Sequence, residues 1–160
     1  MRTLIGSFVL ALAVLVSGCG ENIDLTKNLT VTDVATGWFD AGIVDGQNKL
    51  VPTISFKLKN NSTQTLQALQ ANIVFRRVGE DMEWGSSFVR AAGGEGLPAG
   101  ATSDTLTASS PKGYTGTEAR LEMLQNSQFV DARIEVLARY GSAQWQKVGE
   151  FVAERRLVER

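Results

Sequence analysis

The sequence predicts an all-β fold, an immunoglobulin-like antiparallel β-sandwich of about seven strands. Three observations predict it. Apolar and polar residues alternate at period two over most of the chain after residue 28, the pattern of a strand with one buried face. Turn chemistry such as Asp45-Gly46-Gln47-Asn48-Lys49 and Gly79-Glu80-Asp81 separates these runs. No helical crossover recurs, as it would if the strands were parallel. A closed barrel is the alternative architecture for the same pattern.

The amino terminus stands apart from that pattern. Arg2 is followed by an apolar stretch from Leu4 to Val16, broken only by Gly6 and Ser7 and ending in Leu15-Val16-Ser17-Gly18-Cys19. A basic start, an apolar middle and small residues at the end form a secretory signal over residues 1–18, too short for the roughly 20 apolar residues of a membrane span. Leu15, Ser17, Gly18 and Cys19 resemble the lipobox of bacterial lipoproteins. The resemblance implies a diacylglycerol on the Cys19 thiol, cleavage of the signal before it and acylation of the new amino terminus. It also implies a cell-envelope protein attached to the membrane through this covalent lipid, the only cofactor expected. In Gram-negative lipoproteins an Asp after the cysteine marks inner-membrane retention, so Gly20 implies the outer membrane, facing the periplasm. Two or three acyl chains make such an anchor durable, because each buried methylene contributes about 0.8 kcal/mol.

Residues 19–28 are polar and read as the lipidated cysteine and its tether, with the sandwich domain over 29–153 and a polar tail over 154–160. Within the domain, Leu29, Val31, Ala35, Phe39, Ala41 and Ile43 share one parity, giving one long strand or two kinked ones with a break near Gly37. Ile54, Phe56 and Leu58 alternate with Ser55, Lys57 and Lys59, and Leu69, Ala71, Ile73 and Phe75 with Gln70, Asn72, Val74 and Arg76. Met82, Trp84 and Phe88 predict a strand with its aromatic side inward, and Ser103 to Ala108 a shorter one. Thr115 and Glu118 have capping-box spacing, which predicts a short helix near 115–125. Val130 to Tyr140 and Trp145 to Val152, joined by Gly141-Ser142, complete the set. Leu58-Lys59-Asn60-Asn61-Ser62 with Leu66, Leu69, Ile73 and Phe75 resembles the FxLYD group of small bacterial sandwich domains. Ile73-Val74-Phe75-Arg76-Arg77 replaces that group's Phe-x-Leu-Tyr-Asp pattern, so the resemblance implies a sandwich fold and no site residues.

Composition narrows the chemistry. The chain has no histidine and one cysteine, which excludes Ser-His-Asp and Cys-His catalysis, His-ligated metals and a disulfide framework. A formal net charge of −1 offers nothing to nucleic acid. Asp40, Asp45 and Asn48 lack calcium-loop spacing, so no metal is expected. Glu80, Asp81 and Glu83 are the candidates for two-carboxylate hydrolysis, but they sit in a turn where acidic residues are ordinary solvated punctuation. The loop from Gly93 to Gly100 lacks both phosphate-binding fingerprints and reads as a flexible inter-strand loop.

Among the tryptophans, Trp84 and Trp145 share parities with Phe88 and Phe151 and are expected in the core. Trp38 falls opposite the Leu29-Val31-Phe39 series and is the candidate binding-surface residue, unless a strand bulge reverses its side. These readings predict a non-enzymatic, lipid-anchored recognition or assembly protein with an envelope protein partner. The alternatives are a periplasmic glycan- or small-ligand-binding module and an unfamiliar carboxylate hydrolase.

Overall fold

Alternation at period two resolves into two packed sheets in the computed structural model, which describes residues 22–159. The segment read as a signal and Cys19 lie outside the described residues. The strands are β1 (Leu29–Val44), β2 (Gln47–Asn60), β3 (Gln70–Arg77), β4 (Glu83–Arg90), β5 (Leu106–Ser109), β6 (Tyr114–Gly116), β7 (Ala132–Arg139), β8 (Gln146–Val152) and β9 (Leu157–Val158). One sheet has the order β5-β2-β1-β9, with β6 also paired to β2, and the other has the order β4-β3-β7-β8. The seven longer strands match the expected set and connect as an immunoglobulin-like sandwich. All pairs are antiparallel except β1 with β9.

Ile54, Phe56 and Leu58 of β2 meet Ala71, Ile73 and Phe75 of β3 and Ile134, Val136 and Ala138 of β7 in one core. Burying each large apolar side chain there contributes about 1.5–3 kcal/mol.

Strand β1 departs from simple alternation at two places. Asp33 and Val34 together oppose Phe56, and Ala41 and Gly42 together oppose Lys49. Each extra residue is a bulge, with φ of +50° at Asp33 and +86° at Gly42. The β1–β2 hairpin closes over two residues, Asp45 and Gly46, both with positive φ, the geometry that suits the strands' right-handed twist. Gly37 is not a break. A Cβ there would lie 2.4 Å from Val158 Cγ1 and 2.9 Å from the Arg156 carbonyl oxygen, so its bare backbone is the place where the carboxyl-terminal segment crosses β1.

Two expectations are corrected, and the expected short helix forms without its capping box. Residues 22–28 are docked rather than a free tether. Asp24 caps α1 (Leu25–Asn28), Leu25 is fully buried, the Leu25 amide donates to Gln146 Oε1 at 2.9 Å and the Ile23 amide to the Tyr140 hydroxyl at 2.6 Å. The polar tail re-enters the fold: Leu157 and Val158 pair with Trp38 and Phe39. Arg155 donates to Asp131 at 2.7 Å and to the Phe129 carbonyl at 2.9 Å. The second helix, α2, covers only Arg120–Gln125, and its cap is Ala119 without a side-chain bond. Thr115 belongs to β6, so the capping box does not form.

Asp40 of β1 pairs with Arg120 of α2. Its carboxyl is held below the ordinary aspartate value chiefly by the Gly42 amide, with Arg120 adding to this and desolvation opposing it. A depressed folded-state pKa gives stability that is present above the unfolded value and lost as pH falls through the folded one. The wild type is therefore expected to lose less than about 1 kcal/mol more than Asp40→Asn on acidification below roughly pH 4, the effect being small because the pair is partly exposed. Denaturant unfolding of both proteins at pH 3 to 7 measures this.

Candidate functional site

The sandwich has two distinct ends. Helix α1, the β2–β3 connection, the glycine-rich loop and the β7–β8 turn lie at one. The β1–β2 hairpin, the β3–β4 turn, α2 and residues 126–131 lie at the other, the far end.

An aromatic cluster underlies the far end. Ring centroids are 4.5 Å apart for Trp38–Phe129 and Tyr114–Phe129, 5.2 Å for Trp84–Tyr114 and 6.3 Å for Trp38–Trp84. The Arg77 guanidinium stands 5.1 Å from the Trp84 ring centre and 5.5 Å from that of Tyr114, a cation–π arrangement. The Tyr114 hydroxyl donates to the Val130 carbonyl at 2.9 Å and accepts from the Val130 amide at 3.1 Å. Burial raises the pKa of the phenol above its ordinary value.

Above this cluster opens a cavity of about 170 Å³ lined by Tyr114, Met123 and Phe129 with Glu118, Asn126 and Gln128 among its polar edges. Its rim is tied to both neighbouring turns. Asn48 Nδ2 donates to the Glu118 carbonyl at 2.8 Å, and the Val78 amide to the Asp131 carbonyl at 2.8 Å. Apolar side chains project from the surrounding segments: Ile43 is 69% exposed, Met82 79% and Leu121 61%.

Trp38 is not a surface residue. It is fully buried beneath the cavity, because the bulge at Asp33 shifts the parity of β1 and turns Thr36 and Trp38 inward. The competing bulge reading is therefore correct, although the bulge lies upstream of Gly37. A further bulge, in β4, separates Trp84 from its expected companions. Phe75 pairs with Gly85 and Arg76 with Glu83, leaving Trp84 as the extra residue, partly buried against Tyr114. Gly85, Ser87 and Val89 occupy the inward positions of β4, so Phe88 faces out and is 68% exposed, while Met82 precedes the strand in the turn.

Trp145 also moves out of the expected core. Val148 is the extra residue of a bulge in β8, since Val136 pairs with Gly149 and Leu137 with Lys147, and parity places Gln146 inward and Trp145 outward. Trp145 is half-buried on the outer face of the four-stranded sheet, 4.5 Å from the Arg139 guanidinium and 6.0 Å from the Phe88 ring. Arg139 Nε and Nη2 both donate to Gln70 Oε1 at 3.2 Å. Phe88, Trp145 and Arg139 thus bridge the sheet as an aromatic–arginine platform near the α1 end. Further along this face, Glu135 takes part in ion pairs with Arg76, Arg133 and Lys147 at 3.2–3.9 Å.

The carboxylate candidates occupy an open turn. Glu80 pairs with Arg77 at 3.8 Å, the fully exposed Asp81 lies 4.0 Å from Arg133, and Glu83 is exposed. Among the described residues, no group of three or more Asp, Glu or Cys is placed to hold a metal ion. The glycine-rich loop is pinned rather than loose. Leu97 is buried and exchanges backbone hydrogen bonds with Leu66 at 2.9–3.0 Å, while Asn60 Nδ2 donates to the Leu97 and Pro98 carbonyls at 2.9 and 3.1 Å.

No protein-family model matches the chain, and no curated protein matches it in sequence. Among solved structures, it is similar to a structural-genomics target designated SoR45, with 14% identity over 81% of this chain and 89% of that one and a TM-score of 0.43. It is also similar to a protein assigned as ApaA from Bordetella pertussis, with 16% identity over 79% of this chain and 92% of that one and a TM-score of 0.36.

Proposed function

We propose that this chain is a lipid-anchored protein of the bacterial cell envelope, held through Cys19 in the outer membrane and facing the periplasm. Its work is non-enzymatic, the recognition of another envelope protein or the holding of an assembly. The observation that supports this best is the far end of the sandwich, which carries a small apolar-floored cavity and, on three chain segments at the same end, the exposed side chains of Ile43, Met82 and Leu121. Exposed apolar side chains at one end of a domain suit a protein contact surface. The cavity of about 170 Å³ falls below the roughly 300–1,000 Å³ of small-molecule pockets, and its size suits one inserted side chain of a partner.

The glycan-binding reading loses its motivating residue with Trp38 buried. The hydrolase reading draws no support from carboxylates on an open turn that face arginines.

Crosslinking of the acylated protein in native membranes, with Cys19→Ala as control, tests the proposal. A partner captured by the wild type and lost in Ile43→Asp and Met82→Asp is the expected result. Capture that survives both substitutions would remove the far end from consideration, and no capture at all would remove the recognition reading.

A further inference from the structure

The aromatic–arginine platform has a location that its local packing does not require. It occupies the rungs of the four-stranded sheet nearest the α1 end, where Gln70 pairs with both Arg90 and Arg139 and Asn72 pairs with Phe88. The described chain begins at Asn22 at that same end, where Ile23 is bonded to Tyr140 and Leu25 to Gln146, directly after Trp145. Cys19 and Asn22 are three residues apart, a separation the chain can span by at most about 11 Å. Wherever Cys19 is held, the platform is held nearby.

The chemistry of the platform has two parts. Phe88 is 68% exposed beside the half-buried Trp145, and amphipathic aromatic rings concentrate at the headgroup level of membranes. Arg90 is exposed, Arg139 bonds only to the neutral Gln70 and the Trp145 face, and neither forms an ion pair among the described residues. Glu95, whose carboxyl is held below its ordinary value chiefly by the Glu95 and Gly93 amides and least by Arg90, lies just beyond in the glycine-rich loop. The carboxylates of Glu135 and Glu150 belong to the ion-paired part of the face, away from the α1 end. A hollow of about 270 Å³ opens between Phe88 and Arg90, with Gln70 and Val89 at its sides. Arginines outside any close ion pair beside exposed rings match an anionic phospholipid surface, which offers phosphates at the depth where the rings partition.

We propose that the α1 end of this face seats, edge-on, on the anionic phospholipid surface that holds the chain, with Phe88 and Trp145 at headgroup depth and Arg90 and Arg139 against lipid phosphates. The inference rests on the lipid anchoring of Cys19 proposed above. It orients the sandwich so that the far end points away from the membrane.

The test uses the full acylated protein in phosphatidylglycerol–phosphatidylethanolamine vesicles brominated on their acyl chains, with tryptophan emission as the readout. Quenching that Trp145→Phe abolishes and Trp84→Phe leaves in place is the expected result. The unacylated Cys19→Ser chain is then titrated with the same vesicles, where Arg90→Gln and Arg139→Gln are each expected to weaken partition about fivefold. Mass spectrometry of Cys19 separates the two ideas. Lipid on Cys19 with no Trp145 quenching overturns the seating and leaves the anchor standing. Without lipid on Cys19 the anchor reading falls, and the vesicle titration of the Cys19→Ser chain alone decides the platform. A photocrosslinker at Phe88 in native membranes supports the proposal by labelling lipid and overturns it by labelling protein instead.

Discussion

Trp38→Ala is expected to lower the unfolding free energy by about 3–5 kcal/mol, among the largest effects available in this domain. The indole is completely buried and touches Trp84, Tyr114 and Phe129, so truncation leaves a cavity that three rigid rings cannot collapse into. Trp38→Phe separates the ring's packing from its polar atom. The indole Nε1 is buried without a hydrogen-bond partner, and an unmet donor costs about 1–3 kcal/mol. Removing it offsets part of the lost packing, so the phenylalanine variant is expected within about 1.5 kcal/mol of wild type. Denaturant unfolding with an unchanged m-value is the measurement. A change within about 0.5 kcal/mol for the alanine variant would mean a surface tryptophan, and the inward turn of β1 at the Asp33 bulge would be wrong.

Asn60→Asp is expected to cost at least about 3 kcal/mol at pH 7, although it replaces one atom. The Asn60 amide nitrogen donates to the carbonyls of Gln64, Leu97 and Pro98 at 2.8, 2.9 and 3.1 Å. Its oxygen accepts from the Ser62 amide and hydroxyl at 3.0 and 2.7 Å. The residue is fully buried. A carboxylate oxygen in the place of that nitrogen would face three acceptors with no donor. Burial and those carbonyls would raise the new carboxyl's folded-state pKa above its unfolded value, so the variant's deficit should shrink as pH falls toward 4. Thermal unfolding at pH 4 and pH 7 tests this. A deficit independent of pH would show that the carboxylate escapes to solvent and that Asn60 does not hold the two connections together.

Periodicity made the seven longer strands legible, because burying one face of a sheet imposes alternation on each strand locally. Which face each aromatic residue takes was not legible, and the cause is the same in three places. The bulges at Asp33, Trp84 and Val148 each add one residue, and each reverses or disrupts the parity used to place Trp38, Phe88 and Trp145. Bulges depend on what the partner strand does, and the partner is distant in sequence. Gly149 in β8 is a local sign that simple alternation fails there. The docked tail was hidden for a related reason. Glu154-Arg155-Arg156 reads as solvated charge, yet Arg155 finds Asp131 and the Phe129 carbonyl across the fold. Asn60 reads as turn chemistry because nothing local indicates that a second loop will close over it.

A chain fixed to a membrane at one end and gripped by a partner at the other is placed under tension. In the proposed arrangement the pull enters beside α1 and leaves through the β1–β2 hairpin tip. Between those points runs β1, a 16-residue strand paired with β2 from Leu29 to Val44. The pull then runs along the covalent backbone of that strand, and the hydrogen bonds to β2 that lie across it are not opened one after another. Apart from its two bulges, the strand that spans the sandwich is thereby suited to carry force between the proposed anchor and the proposed partner.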